Sequence, residues 1–338
     1  MNILFVGGSN LVIKQGISTL IPECLRNSGI SVDNVYNIAV GATPCLFGLE
    51  NLTLFKKKQI DLVFIEYGIN DLPLFANDRV LWEQAFTSLL TSLKSKYPSA
   101  HIVTILLGRQ KERFWNNQQR MHNKMKTLSD RSGALVVDID TLLKEKAVVA
   151  GGFEKFYLDE SHYSSPGVTR YISEVVVSEY LLSQLVGFFD KKTSASSKDK
   201  KLNVYGLPGA VECYENSRFH KQTTVLEKNE SVALYVKGAP VAISFISAND
   251  SCSLLLESEF GNKIINTKRK KATLGKFSFI LKQIPLYGLI GKDVKSDQKT
   301  KVTLTALDKN SDKWDDAIMQ RTYGMEPSGP ESKCLFLS

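Results

Sequence analysis

Along its first 187 residues the chain alternates short apolar runs with longer stretches in which apolar residues return every three or four positions. The runs Ile3–Val6, Val35–Val40, Leu62–Glu66, Ile102–Leu107 and Ala134–Val137 have the length of strands, and several are β-branched. They do not alternate apolar with polar, so they read as parallel strands buried on both faces. Helices are expected between them, over about Leu11–Asn27, Leu46–Lys57, a segment capped by Asn77-Asp78, Gln110–Arg131, and a last one opening near Ser165-Pro166. Strand and helix in alternation imply an α/β fold of the flavodoxin-like kind, a parallel sheet with helices on both faces.

The texture then changes. Residues 190–201 are small, polar and lysine-rich, as in a linker. Beyond them Val204–Tyr205, Val225–Leu226, Ser231–Val236, Val241–Ile246, Ser253–Glu257, Lys276–Leu281 and Lys301–Ala306 are short alternating runs between turn residues. These predict a C-terminal antiparallel β-sandwich-like domain. The last thirty residues read as irregular. The expected organisation is a domain at 1–189, a linker at 190–201 and a β-rich domain at 202–338.

A chain of 338 residues suits two domains, and 43% hydrophobic with 23% charged residues is the composition of a soluble globular protein. The cysteines Cys24, Cys45, Cys213, Cys252 and Cys334 are odd in number and widely spaced, with no disulfide or metal pattern, and read as thiols in a reducing compartment. Met1-Asn2 leads straight into a strand-like run with no basic segment and no cleavage site, and no stretch reaches the roughly 18–20 apolar residues that span a bilayer. These features point to a cytoplasmic protein without a transmembrane segment. A net charge of +8 favours an anionic partner such as an acidic glycan or acyl-CoA, although much of it sits in two short lysine runs that also suit a solvated surface. No nucleic acid is expected as a partner.

Three places carry candidate chemistry. The first strand runs into Gly7-Gly8-Ser9-Asn10, which puts Ser9 at the carboxyl end of a parallel strand, where open sheets bind ligands, and at the start of a helix. The bland alternative is a glycine turn with a serine cap. A phosphate loop fits less well, because no third spaced glycine and no Gly-Lys-Ser/Thr follow. The third strand ends in Gly68-Ile69-Asn70-Asp71 on the same edge, where Asn70 offers an amide donor to an oxyanion, or merely a turn. Asp159-Glu160-Ser161-His162 precedes the last helix. There His162 has the imidazole of a base, and Asp159, three residues earlier, can fix its tautomer. The other histidines differ: His101 opens a strand, His122 lies within a helix and His220 falls in the second domain.

Taken in order, these blocks resemble the SGNH (GDSL-type) hydrolase family. That family has a Gly-Asp-Ser block after the first strand, a glycine block after the second, Gly-x-Asn-Asp after the third and Asp-x-x-His near the end. Here they correspond to Gly7-Gly8-Ser9-Asn10, Asn37-Ile38-Ala39-Val40-Gly41-Ala42, Gly68-Ile69-Asn70-Asp71 and Asp159-Glu160-Ser161-His162. The resemblance covers about residues 1–187. It implies Ser9 as nucleophile, His162 as base and Asp159 as its orienting acid. The oxyanion hole would comprise the Ser9 N–H, the Gly41 or Ala42 N–H and the Asn70 side chain. Two departures stand out. Gly8 replaces the family's aspartate, and the oxyanion glycine aligns with Ala42, whose amide can serve if its φ is negative.

The implied chemistry is acyl transfer through an acyl-enzyme, with no metal and no cofactor. The leading expectation is an esterase that removes O-acetyl groups from a saccharide or polysaccharide. One alternative is an O-acetyltransferase that takes acetyl from acetyl-CoA and delivers it to a glycan. Another is an inactive glycan-binding protein. Phe114-Trp115 suits either a helix packed on the core or a lid or sugar-stacking surface. Lys268-Arg269-Lys270-Lys271 suits a solvated turn better than an anion site.

Overall fold

The apolar runs of the first half pair in parallel, each buried between helices. In the computed structural model, which describes residues 1–150, 152–190, 202–216, 219–248, 251–268, 279–286, 298–308, 322–324 and 334–337, they form β1 (Asn2–Gly7), β2 (Asn34–Asn37), β3 (Leu62–Glu66), β4 (His101–Leu106) and β5 (Leu135–Asp138). All pairs are parallel and the order is β2-β1-β3-β4-β5. Ile3, Phe5, Phe64 and Val103 join one hydrophobic cluster, together with residues of α1 (Ile17–Asn27) and α7 (Gly167–Leu185). Leu4, Val6, Val63 and Ile65, the alternate residues of the same strands, are equally buried. Because side chains alternate along a strand, they face the other side. The pair α2 (Cys45–Leu54) and α4 (Arg79–Lys96) packs together and carries buried Phe47, Leu49, Trp82 and Phe86.

β1 is the strand from which the chain first steps to β2 on one side and then crosses to β3 on the other. The loops after β1 and β3 therefore diverge and leave a crevice at their carboxyl ends, the usual ligand position of such sheets.

Several boundaries differ from expectation, each for a local reason. β2 ends at Asn37 and is an exposed edge strand, not one buried on both faces. The first helix begins at Ile17, not Leu11. The Leu11 carbonyl accepts from Ser18 Oγ at 2.7 Å and from Asn37 Nδ2 at 2.7 Å, so side chains take the acceptor a helix would use. α5 (Trp115–Arg131) starts five residues later than Gln110. The Arg109 N–H donates to Gln118 Oε1 (2.7 Å) and the Gln110 N–H to the Glu160 carbonyl (3.0 Å), which draws that segment away from the helix axis. Pro166 caps α7 after a cis Ser165–Pro166 bond and is not in its first turn. α3 (Leu72–Asn77) and α6 (Ile139–Ala150) have no counterpart in the predicted elements.

The chain divides into compact units Met1–Leu202 and Asn203–Ser338. The second holds two antiparallel sheets. One is ordered β11-β10-β13-β8, from β8 (Ser231–Lys237), β10 (Ser253–Ser258), β11 (Gly261–Asn266) and β13 (Lys299–Ala306). The other is ordered β14-β12-β9-β15-β7-β6, from β6 (Val211–Asn216), β7 (Phe219–Leu226), β9 (Ala242–Ala248), β12 (Phe279–Pro285), β14 (Thr322–Gly324) and β15 (Cys334–Leu337). Leu226, Phe245 and Ile284 of one sheet meet Leu254, Ile265, Val302 and Leu304 of the other in a shared core, which makes the unit a sandwich. Val204–Tyr205 is not a strand. β6 and β11 were not anticipated, and β14 and β15 fall in the tail read as irregular. Cys252 is disulfide-bonded, contrary to the expectation of reduced thiols throughout, whereas Cys24, Cys45 and Cys213 are not in a disulfide. The linker residues 191–201 and the run 269–271 lie outside the described residues.

Asp78 caps α4, its side chain accepting the Leu81 N–H at 2.9 Å. Asp78→Ala should cost about 1 kcal/mol of stability and Asp78→Asn much less. Urea unfolding of the three proteins tests this; equal midpoints would remove the cap's role.

Candidate active site

The first residue past β1 continues the parallel ladder: the Gly8 N–H donates to the Glu66 carbonyl at 3.1 Å. The chain then turns at once, with the Leu11 N–H on the Gly8 carbonyl (3.2 Å) and the Val12 N–H on the Ser9 carbonyl (2.9 Å). Ser9 thus sits in a one-turn 3₁₀ segment, Ser9–Leu11. The first α-helix begins at Ile17, so Ser9 is not at an α-helix N-terminus and gains little from a helix dipole.

Asp159 and His162 come from a tight turn between the paired residues Tyr157 and Tyr163. The Leu158 N–H donates to the His162 carbonyl at 2.8 Å. The Asp159 side chain folds back on its own turn: Oδ1 accepts the Ser161 N–H (2.8 Å) and the His162 N–H (2.9 Å), and Oδ2 lies 2.7 Å from His162 Nδ1. Burial alone pushes this carboxyl up. The His162 ring N–H, the Ser161 N–H, the His162 charge and the His162 N–H together outweigh burial and hold it below its ordinary value. An ionised carboxylate only accepts, so Nδ1 carries the imidazole proton and Nε2 is left as an acceptor. Ser9 Oγ lies 2.8 Å from Nε2. Asn10, whose role the sequence did not single out, joins the two segments by donating from Nδ2 to the Ser161 carbonyl at 3.0 Å.

On the opposite side stand the residues after β2 and β3. A Cβ built on Gly41 would lie 3.7 Å from the Ser9 Cβ, so the Gly41 backbone abuts the serine. Ala42 has φ +57°, so the condition of a negative φ, under which its amide could serve, is not met. Asn70 Nδ2 donates to the Thr43 carbonyl at 3.2 Å, and its amide lies directly over Gly8. A Cβ on Gly8 would come within 1.9 Å of Asn70 Nδ2. A side chain at position 8, where the family has aspartate, would have to displace the Asn70 amide.

Behind this rim lie buried acids. Asp71 accepts from the Cys45 N–H (2.7 Å) and from Trp82 Nε1 (2.8 Å), tying the loop after β3 to α2 and α4. Burial raises it to about 7 despite those bonds. Glu66, the last residue of β3, is 1% exposed, and neither carboxyl oxygen has a hydrogen-bond partner among the described residues. Burial and then the neighbouring Asp71 charge raise it to about 8, with the Gly68, Gly8 and Ile69 backbone pulling the other way. His122 supports the loop from below, its Nε2 3.0 Å from the Gly68 carbonyl, and burial lowers its pKa. These supports escaped sequence reading because an isolated Glu or His carries no sign of burial. Phe114 and Trp115 open α5. Trp115 packs edge-on against Phe153 at 5.4 Å and donates Nε1 to the Arg109 carbonyl, so it serves the core and not a lid. Among the described residues no acidic, histidine or cysteine cluster could hold a metal, and no helix is long and apolar enough to cross a membrane.

The sheet order and the placement of these loops define the SGNH-hydrolase fold, which residues 1–202 adopt. No family model and no curated protein matches the sequence. Solved structures do resemble it. A two-domain esterase active on acetylated mannans, co-crystallized with mannopentaose, aligns over 100% of this chain and 89% of its own, at 15% identity and a TM-score of 0.64. Another crystal structure of a two-domain esterase active on acetylated mannans aligns over 100% and 91%, at 12% identity and a TM-score of 0.61. At such identities the likeness is one of fold.

Glu66 yields a test on stability alone. Below its ordinary value of 4.5 the carboxyl is protonated whether the chain is folded or not. Above it the unfolded chain ionises while the folded one keeps the proton, so stability drains as pH rises to about 8 and the loss is complete beyond it. Glu66→Gln should therefore match wild type near pH 4.5 and exceed it at pH 8, by on the order of 4–5 kcal/mol. Parallel pH-dependent melts that show no divergence would mean Glu66 is ionised in the fold.

Proposed function

We propose that this protein is a serine esterase that removes O-acetyl groups from a carbohydrate. The observation that carries the reading is the unbroken chain from Ser9 Oγ to His162 Nε2 (2.8 Å) and from His162 Nδ1 to Asp159 Oδ2 (2.7 Å), at the crevice where the loops after β1 and β3 diverge. Nε2 takes the Ser9 proton as Oγ attacks the ester carbonyl. The carbonyl electron pair moves onto oxygen, and that oxyanion is stabilised by the Ser9 N–H, the Gly41 N–H and the second N–H of Asn70, whose first is on Thr43. The Gly41 amide is preferred to that of Ala42 because the Gly41 backbone is the one that abuts Ser9. Collapse expels the sugar alkoxide, which takes the proton from His162. Water, deprotonated by Nε2, then releases acetate and restores the serine.

A carbohydrate ester as substrate is supported by the two-domain neighbours, which act on acetylated mannans. The β-sandwich is assigned on the same ground to glycan contact.

Ser9→Ala and His162→Ala should each lower hydrolysis of 4-nitrophenyl acetate and of acetylated oligosaccharides by on the order of 10⁴-fold, with Asp159→Asn milder and no further loss in Asp159→Asn/His162→Ala. Acetate release is the readout. Full activity in Ser9→Ala would remove the reading. Consumption of acetyl-CoA with acetyl transfer to a glycan, and no release of acetate from acetylated glycans, would instead establish a transferase.

Gly8→Ala isolates the contact with Asn70. The added methyl must push the Asn70 amide aside, so the variant should fold, lose roughly 10²-fold in kcat, and lose nothing more when Asn70→Ala is added. Additive losses would show that Gly8 acts by another route.

A further inference from the structure

Beside the His162 turn lies a cationic cluster that the acyl chemistry does not use. Arg109 follows β4 and is anchored at both ends of its own peptide. Its N–H donates to Gln118 Oε1 at 2.7 Å, and its carbonyl accepts Trp115 Nε1 at 3.0 Å. The next residue, Gln110, donates its N–H to the carbonyl of Glu160, two residues before His162. The residue after Arg109 is therefore hydrogen-bonded to the turn that carries His162.

Its guanidinium is held in place as well. The Arg109 Cζ lies 4.6 Å from the Phe114 ring centre, a stacking arrangement that fixes the plane of the fork. The neighbouring Arg113 also stacks on Phe114, at 4.7 Å, and Nη2 of Arg113 reaches both Glu160 oxygens, at 3.1 and 3.4 Å. Arg113 thus holds by hydrogen bonds the Glu160 carboxylate, whose charge also reaches Arg109. Arg109 Nε is buried and has no acceptor among the described residues. A guanidinium held against an aromatic ring matches a carboxylate in geometry and charge. The aromatic faces nearby are not open to a sugar. Trp115 is engaged by Phe153 and by Lys144, 4.5 Å from its ring centre, and Phe114 carries the guanidinium groups.

We propose that Arg109 forms a carboxylate subsite next to the Ser9–His162 pair, so that the preferred substrate is an O-acetylated acidic saccharide carrying a uronic-acid group. This rests on the esterase reading for the acetyl group, but the subsite itself can be measured without turnover. A neutral acetylated glycan lacks the group that fills it. CoA would have to present phosphate instead.

The experiment titrates the full-length protein with unacetylated trigalacturonate, with mannotriose and with CoA, at low salt and at 0.3 M salt. Trigalacturonate should bind, mannotriose should bind at least tenfold more weakly, and salt should weaken only the acidic ligand. Arg109→Gln should weaken trigalacturonate at least tenfold, and Arg109→Lys, which keeps the charge but not the fork, should weaken it less; melting curves check that both variants fold. In kinetics, KM for acetylated galacturonan should lie below that for acetylated mannan in wild type, and Arg109→Gln should bring the two together. Equal binding of the acidic and neutral trisaccharides, trigalacturonate binding untouched in Arg109→Gln, or binding of CoA alone would each overturn the subsite while leaving the esterase reading in place. Arg109-dependent binding of trigalacturonate without hydrolysis of any ester would remove the esterase reading and keep the subsite.

Discussion

The hydrogen bond from the Gly8 N–H to the Glu66 carbonyl is the constraint on which the crevice depends. It carries the β1–β3 pairing one residue past the strands, so the loops that bear Ser9 and Asn70 leave the sheet side by side. That closeness excludes side chains at its centre. A Cβ on Gly7 would fall 2.5 Å from the Glu66 carbonyl oxygen, and one on Gly8 would fall 1.9 Å from Asn70 Nδ2. Gly7 is therefore a packing requirement set by backbone, whereas a side chain at Gly8 would act on the position of the Asn70 amide. The same closeness seals the Glu66 side chain away from water, where burial outweighs the pull of the Gly68, Gly8 and Ile69 backbone.

Around this joint the supporting contacts form two layers. Asp71 binds the loop after β3 to α2 and α4 through the Cys45 N–H and Trp82. On the other side, Tyr157 and Tyr163 share the Gly108 carbonyl, at 2.8 and 3.0 Å, and so anchor the turn that carries Asp159 and His162 to the end of β4. Asp159 and His162 are placed by a local turn, and Ser9 is placed by the sheet. The two halves meet through the Ser9–His162 and Asn10–Ser161 hydrogen bonds.

Much of the α/β unit was legible because buried parallel strands leave continuous apolar runs: β1, β3 and β4 fall within a residue of their predicted spans. Edge strands and short helices leave weaker traces. β2 is mostly exposed, and α3 is a single short helix whose start merges with the Gly68–Asp71 loop. The closeness of Ser9, Asp159 and His162 was legible from strand ends and an i,i+3 spacing, which are local features. What depends on distant partners was not. The Leu11 carbonyl is claimed by Asn37, 26 positions away, and that displaced the first helix. The left-handed turn at Ala42 is set by its fold-back, in which Thr43 Oγ1 bonds the Val40 carbonyl. In the β-sandwich, pairing between strands far apart in sequence makes β15 a strand although its own four residues carry little pattern.

The Ser9–His162 bond spans 153 positions and the Asn10–Ser161 bond spans 151, whereas the Asp159–His162 bond spans three. Closing so long a loop is entropically slow and is compensated only when the intervening sheet has assembled. The acid–base pair can therefore form early and in isolation, but the serine joins it only after all five parallel strands are in register. The arrangement of Ser9 beside His162 is thus a property of the completed sheet and not of either segment alone.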